Sequence, residues 1–502
     1  MSPGMGFAGL SFFVNAAVVL LSAVVTSRLY GVEVVGSYAL AIAPWGLLVS
    51  LSTVSEQVAM IRTLAVIERK TDDATGLFFA VLSASMTLTA VMAVPVFFIS
   101  RALLDGPIDQ GPAVLPAAVI LAGYVAFENP GWNLESVLSA YSEGRRLFWA
   151  RLSVALSFGV VAVALRAVTD TVWGLTIATV ASFAVGTIVR LVSVRDLINR
   201  RPSGAAYRAG VQRLPELLRF GVGLLPGQFF IGATLQLPLW LVANTSGLRA
   251  IGAFSRASTM AVRLNEAGFR INEMLFPDLV RARREGDIER LAATQRTVLR
   301  LALIVLVFLA SIAGGASEAV MNVFGDGFGS ASGAFVALLG VHVCYVACSV
   351  VGTGFNVFDR PIYNSATSSI RFVVGVGLVA VLVPTRGITA AAFGLLVGYL
   401  VELAVRVAVL TRFLRRLADQ GDGQLADTRP IDLVTVLRLA LAYSAGFAVV
   451  RTLAETVDHD LVTILAGGTL GTVAFVAAAL ATGLVTSEER ATITRWRTAR
   501  GR

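Results

Sequence analysis

Charge is scarce in this chain of 502 residues. Asp, Glu, Lys and Arg make up 15% of it, whereas a soluble domain carries about 25%. That scarcity argues against a soluble globular protein. Lysine is nearly absent: Lys70 is the only one, so the basic residues are arginines. Cysteine is limited to Cys344 and Cys348, both inside one apolar run, which excludes a disulfide framework. His342 lies beside them, but no further ligand follows at a metal-motif spacing, so these positions are read as packing and no metal is expected. There is no G-x-x-x-x-G-K-[ST] loop, which argues against an ATP-driven pump within this chain. No nucleophile elbow or zinc-protease motif occurs either, and neither enzymatic activity nor a cofactor is expected. The first apolar run has no Lys or Arg before it and many runs after it, so it reads as a retained helix rather than a cleaved leader.

What the chain does have is apolar sequence. Hydrophobic residues make up 56%, and mean hydropathy is +0.77. The apolar residues recur in runs of about 20, the length that crosses roughly 30 Å of hydrocarbon. Backbone polar groups in lipid must be satisfied internally, which leaves helices or closed barrels. Barrel strands would be short and alternating; these runs are long and continuous. The expected fold is an all-α integral membrane protein of about 14 transmembrane helices. The spans lie near 7–27, 35–59, 75–99, 112–135, 147–168, 171–193, 220–242, 250–276, 298–320, 332–355, 365–383, 387–409, 433–453 and 460–484.

The arginines orient those spans. With the N-terminus placed in the cytoplasm, the inside connections and their flanks hold 32 Lys and Arg residues, and the outside ones hold 6. The positive-inside rule then puts both termini in the cytoplasm and the protein in the cytoplasmic membrane. The same placement accounts for the net charge of +9 without nucleic acid. The longest inside segments, near 194–219 and 411–432, are Arg-rich. The first mixes Leu214, Leu217 and Leu218 with arginines and serves as a topological anchor or as a helix on the membrane surface.

A short repeat is present. Val35-Gly36-Ser37-Tyr38-Ala39-Leu40-Ala41 echoes Ile251-Gly252-Ala253-Phe254-Ser255-Arg256-Ala257 about six spans later, and each opens a span. Duplicated halves are common in transporters, with the substrate site between them.

Ionisable residues inside a bilayer are costly and mark candidate sites. Span eight is the richest, with Arg256, Arg263, Glu266, Arg270 and Glu273 alongside Asn265 and Asn272. The three arginines are spaced by seven residues, nearly two helical turns, and would form one basic stripe about 21 Å long. Three readings stay open: an anion-binding cavity wall, a ladder closed by Glu266 and Glu273, or an amphipathic surface helix. Arginine's planar fork suits phosphate and pyrophosphate. Asn15, Arg28, Glu56, Gln57, Arg62, Gln228 and Gln236 are thinner candidates for the same cavity, and Pro226 and Pro238 are potential breaks in span seven. Glu128 and Glu135, beside Pro130 and Gly131 on span four, are candidate proton carriers.

Several segments resemble the polysaccharide biosynthesis proteins of the lipid-linked oligosaccharide flippase type, within the multidrug/oligosaccharidyl-lipid/polysaccharide exporter superfamily. Arg28-Leu29-Tyr30-Gly31 with Gly36-Ser37-Tyr38-Ala39 is similar to that family's first-to-second span turn. Gly252-Ala253-Phe254-Ser255, then Phe276-Pro277 and Gly286-Asp287, resembles its eighth span and exit. Phe324-Gly325-Asp326-Gly327-Phe328 resembles the loop after span nine. Pro384 and Gly387 with Thr389, Ala390, Ala391 and Ala392 resemble the entry to span twelve.

The resemblance implies two six-helix lobes around a central cavity plus two C-terminal helices. The boundaries would be 1–199 for the N-lobe, 200–415 for the C-lobe, 416–485 for the extra spans and 486–502 for a basic cytoplasmic tail. It implies alternating-access flipping of a polyprenyl-pyrophosphate-linked glycan. In that scheme Arg256, Arg263, Arg270, Arg28, Asn15 and Gln236 would meet the substrate, and Glu266, Glu273, Glu56 and Glu128 are candidate coupling carboxylates. Partners would be the lipid-linked glycan, membrane lipids and other polysaccharide-assembly proteins, with no nucleic acid. The chain departs from the pattern late in span seven, where Leu239, Trp240 and Leu241 replace an acidic residue. The basic span eight is also similar to the lipid II flippases of the superfamily. Rival readings are a drug or cation antiporter, which would want an acidic cavity, a membrane glycosyltransferase or polymerase, and an envelope scaffold.

Overall fold

A computed structural model describes residues 3–52, 56–222, 225–265, 279, 281–358, 360, 362–419, 430–457 and 459–484. Among them there are fifteen α-helices and no strand. They are α1 (Pro3–Ser52), α2 (Glu56–Leu64), α3 (Asp72–Asp105), α4 (Val114–Gly123), α5 (Asn129–Ala140), α6 (Gly144–Arg166), α7 (Val172–Val194), α8 (Gly204–Val222), α9 (Leu225–Ala261), α10 (Ile288–Gly315), α11 (Ser317–Asn322), α12 (Ser332–Val357), α13 (Ile362–Asp419), α14 (Leu433–Thr456) and α15 (Asp460–Ala481). A π-helical turn, Tyr124–Glu128, joins α4 to α5.

Three helices are too long for one crossing. α1 has 50 residues, α9 has 37 and α13 has 58. At 1.5 Å per residue the last would run about 87 Å if straight, against roughly 30 Å of hydrocarbon. Each is broken at one glycine: Gly31 at φ 80° and ψ 166°, Gly247 at φ 74° and ψ 175°, and Gly387 at φ 65° and ψ −153°. That corner of backbone space is closed to side chains with a Cβ. The breaks at Gly31 and Gly247 fall between two of the apolar runs read from the sequence, and Gly387 is the first residue of the run read at 387–409. Among the described residues, ten segments are long and apolar enough to cross a membrane by length and composition. α1 and α13 each count once among them, so with their arms counted apart the described residues give twelve crossings; α9 is not one of the ten.

The chain's contacts group into two compact units. The first takes in Met1–Arg256, Phe324–Phe328 and Asn364–Gly394; the second takes in Ala257–Val323, Gly329–Tyr363 and Leu395–Arg502.

In the first unit α1 packs on α4, α6 and α7, and α3 packs on α8. Met60, Leu64, Phe78, Val137, Leu138 and Leu197 form a buried apolar cluster where α2, α3 and α5 meet the segment after α7. α8 turns Ala206, Gly210 and Leu217 inward and leaves Arg208 and Arg213 exposed. A Cβ on Gly76 would meet the Ala206 carbonyl, and one on Gly210 would meet the Gly76 carbonyl. Small residues thus let α3 and α8 touch backbone to backbone.

In the second unit α14 and α15 pair and lie against α10. Gly446 faces Ser311 and Phe475, while Gly315 and Gly471 face Val450. Apolar burial gives little drive between helices in lipid, so such close approaches supply the van der Waals contact instead. The outward side of α15 is apolar: Leu461, Leu465 and Val473 are 68%, 71% and 62% exposed. Side chains of this kind face hydrocarbon, not water.

Candidate functional site

The repeat read from the sequence closes on itself. The α1 turn at Gly31 and the α9 turn at Gly247 have nearly the same backbone angles. Just beyond them Glu33 and Arg249, 216 residues apart, form a salt bridge of 2.8 Å. One turn further on, Gly36 and Gly252 face each other. A Cβ on Gly36 would strike the Leu248 carbonyl, and one on Gly252 would strike the Val32 carbonyl. Each contact in this set recurs when both of its residues are replaced by their repeat equivalents. That reciprocity is the mark of a local two-fold relation, the same contact made twice.

Arg256 lies one turn past Gly252. It is 7% exposed, and its Nε donates to Ser27 Oγ at 2.7 Å. Its Nη2 is buried with no partner, and no described carboxylate pairs with it. Ser27 is itself buried and donates to the Ala23 carbonyl at 2.7 Å. Tyr38 lies nearby, its hydroxyl 2.7 Å from Thr179 Oγ1. A buried cation costs several kcal/mol unless an anion offsets it. Here a guanidinium is fixed at one edge and keeps a donor at the other.

The other expected residues fall as follows. Gln236 is half-buried and lies against Gly46 of α1. Asn15 is half-buried, and its Oδ1 is enclosed without a hydrogen-bond partner. Arg28 is exposed beside Gly325. Arg263 is half-buried, in the second unit. α9 ends at Ala261, and the Asn265 amide bonds the Val262 carbonyl at 2.9 Å, a tighter turn than an α-helix makes. The backbone is helical again over 263–265 and the Val262 amide still bonds the Ser258 carbonyl, so one turn residue, Val262, interrupts the helix between Arg256 and Arg263. Arg270, Glu266 and Glu273 lie outside the described residues, as does the side chain of Glu56, which belongs to α2.

Glu128 closes the π-helical turn and pairs with Arg190 of α7 at 3.1 Å. Arg190 also holds Glu135 at 3.1 Å, and Arg151 of α6 holds Glu135 at 2.6 Å. In the second unit His342 Nδ1 lies 3.0 Å from Asn265 Oδ1, while Cys344 and Cys348 are buried thiols outside any disulfide.

Three buried arginines are not among the candidates the sequence offers, since the positive-inside rule takes them as flanks of inside loops. Arg190, Arg371 and Arg406 are 3%, 2% and 6% exposed. Arg406 pairs with the fully buried Glu402 at 2.7 Å and donates to the Cys348 carbonyl. The signal was available for this pair, because Glu402 and Arg406 are four apart within an apolar run.

A model of the family described as Polysaccharide biosynthesis protein matches residues 27–333, more than half of the chain. No curated protein matches. Among solved structures the chain resembles the lipid II flippase MurJ in an inward closed conformation, with TM-score 0.70, 11% identity, and coverage of 94% of this chain and 98% of that one. It also resembles a MOP superfamily transporter from Pyrococcus furiosus Vc1, described as having a binding pocket of reversed polarity, with TM-score 0.60, 15% identity and coverage of 82% and 95%. A multidrug resistance MATE family transporter in its inward-facing conformation gives TM-score 0.59, 16% identity and coverage of 82% and 96%. These likenesses establish a shared fold, and the family match establishes that the chain belongs to the polysaccharide biosynthesis protein family.

Proposed function

We propose that this protein flips a polyprenyl-pyrophosphate-linked oligosaccharide or polysaccharide repeat unit across the cytoplasmic membrane by alternating access. The observation that carries this reading is Arg256, a buried guanidinium with one edge on Ser27, no described carboxylate partner and an unused Nη2 donor. Such a group suits a phosphate oxygen: the guanidinium is permanently charged, planar and already oriented. Arg28, Asn15 and Gln236 would extend the polar surface for the pyrophosphate and first sugar, with Arg263 and Arg270 continuing the basic stripe. Glu266, Glu273, Glu56 and Glu128 are the candidate coupling carboxylates.

The lobes would be 1–199 and 200–415, with 416–485 as two additional spans and 486–502 as a basic tail. Placing the turn at Gly31 outside and both termini in the cytoplasm follows the arginine bias. Membership in a polysaccharide biosynthesis family supports a glycan cargo. The protein would act as a transporter rather than an enzyme, working beside other polysaccharide-assembly proteins.

The test is to deplete cells of the protein, extract membrane lipids and follow polyprenyl-pyrophosphate glycans. A completed repeat unit accumulating on the cytoplasmic face supports flipping and identifies the cargo, lipid II included. Truncated precursors alone, or none, would favour a glycosyltransferase or polymerase.

A further inference from the structure

The first unit holds a second polar centre, built around Glu128. Glu128 and Arg190 are 5% and 3% exposed. Arg190 Nη1 meets Glu128 Oε2 at 3.1 Å, and Nη2 lies 3.5 Å from Oε1. The Trp132 side chain lies beside the same carboxylate. Glu135 is held more firmly, by Arg190 at 3.1 Å and by two nitrogens of Arg151 at 2.6 and 2.8 Å. Arg190 therefore bridges two carboxylates, and it keeps Glu135 as a partner if Glu128 becomes neutral.

The surroundings are polar and only partly satisfied. Ser85 Oγ lies 3.2 Å from Asn129 Oδ1, and Asn133 Nδ2 donates to Ser85 Oγ and to the Asn129 carbonyl. Asn129 Nδ2, Asn133 Oδ1, Thr89 Oγ1 and Arg190 Nε are all buried with no protein partner. Buried polar atoms of proteins are almost always satisfied, by internal water where protein does not reach. The backbone is shaped to this centre as well. The turn Tyr124–Glu128 is π-helical and is followed by Pro130, and Thr187 Oγ1 caps the Phe127 carbonyl at 2.6 Å. Gly131 leaves the room that Arg190 needs, since a Cβ there would lie 2.7 Å from its Nη1. π-bulges of this kind occur frequently at functional sites.

We propose that Glu128 is a proton-binding site, exchanging through water held by Asn129, Asn133 and Thr89, and that Arg190 shifts onto Glu135 when Glu128 is neutral. The charged groups facing it are Arg190 from α7 and Glu135 from α5, with Arg151 of α6 behind Glu135; α3 contributes only Ser85 and Thr89, and α4 no charge. The use of that proton to drive transport rests on the flippase reading. Proton binding itself does not, so the two can fail separately.

The experiment is difference infrared spectroscopy of the full chain in liposomes, titrated with pH in the absence of cargo. The expected result is a carboxylic-acid band that grows reversibly on acidification and shifts with 13C-glutamate labelling. It should be lost in Glu128→Gln and kept in Glu135→Gln. If Glu128→Gln does not fold, Glu128→Asp should displace the band and its midpoint. Absence of a titrating glutamic-acid band in the wild type, or its survival unchanged in these Glu128 variants, overturns the proposal.

Discussion

Glu33 and Arg249 occupy equivalent places in the two repeats, and their side chains meet each other at 2.8 Å. Behind them Gly36 and Gly252 bring the α1 and α9 backbones into contact. The ion pair itself is exposed at both ends, and exposed pairs contribute only about 0–1 kcal/mol. The glycines set the approach.

Gly36→Leu and Gly252→Leu should therefore lower thermal stability and folded yield strongly, because each new side chain meets a backbone carbonyl that no rotamer change can move. Glu33→Gln should change the melting temperature little. Thermal unfolding in detergent compares the three; equal effects would contradict the assignment of the contact to the glycines.

If alternating access separates these ends, joining them must stop the cycle. A cysteine pair placed at 33 and 249 and bridged by a short bis-thiol reagent should lose glycan export and regain it when a cleavable bridge is cut. Native Cys344 and Cys348 are buried, so they should react little. Full export by the bridged protein would rule out opening at this crossing.

Arg190→Ala leaves Glu128 buried without its guanidinium. Breaking one side of a buried pair costs about 3–5 kcal/mol, so the variant should be markedly less stable. Adding Glu128→Gln should restore part of the loss. Denaturation of the single and double variants measures the coupling.

The second unit carries a pH-sensitive cap. Asp432 accepts from the Thr435 amide at 3.1 Å at the start of α14; hydrogen bonding from the Thr435 side chain first, and from that amide second, holds its carboxyl below the usual aspartate range. A depressed native value means that the cap stabilises above the ordinary value near 3.8 and is lost as pH falls through the lowered one. Asp432→Ala should cost about 1 kcal/mol at neutral pH and flatten the acid limb of the stability profile.

The spans and the repeat were legible because each is a local pattern. Apolar run length gives a helix, and Gly36 and Gly252 recur with the same neighbours. The partners of the charged residues were not legible. Arg190 meets Glu128 across 62 residues, and Ser27 meets Arg256 across 229; no spacing rule links side chains on separate helices. The turn at Val262 carries no proline or glycine to announce it. Glu402 and Arg406 are the counter-example, a pair written at helical spacing inside an apolar run.

Arg256 is the most direct test of the central claim. In cells carrying only the Arg256→Gln variant, inserted at normal levels, the completed polyprenyl-pyrophosphate glycan on the cytoplasmic face should rise as it does on depletion, with Arg256→Lys recovering part of the export. Normal export with no accumulation in Arg256→Gln would contradict the account and leave Arg256 a structural residue.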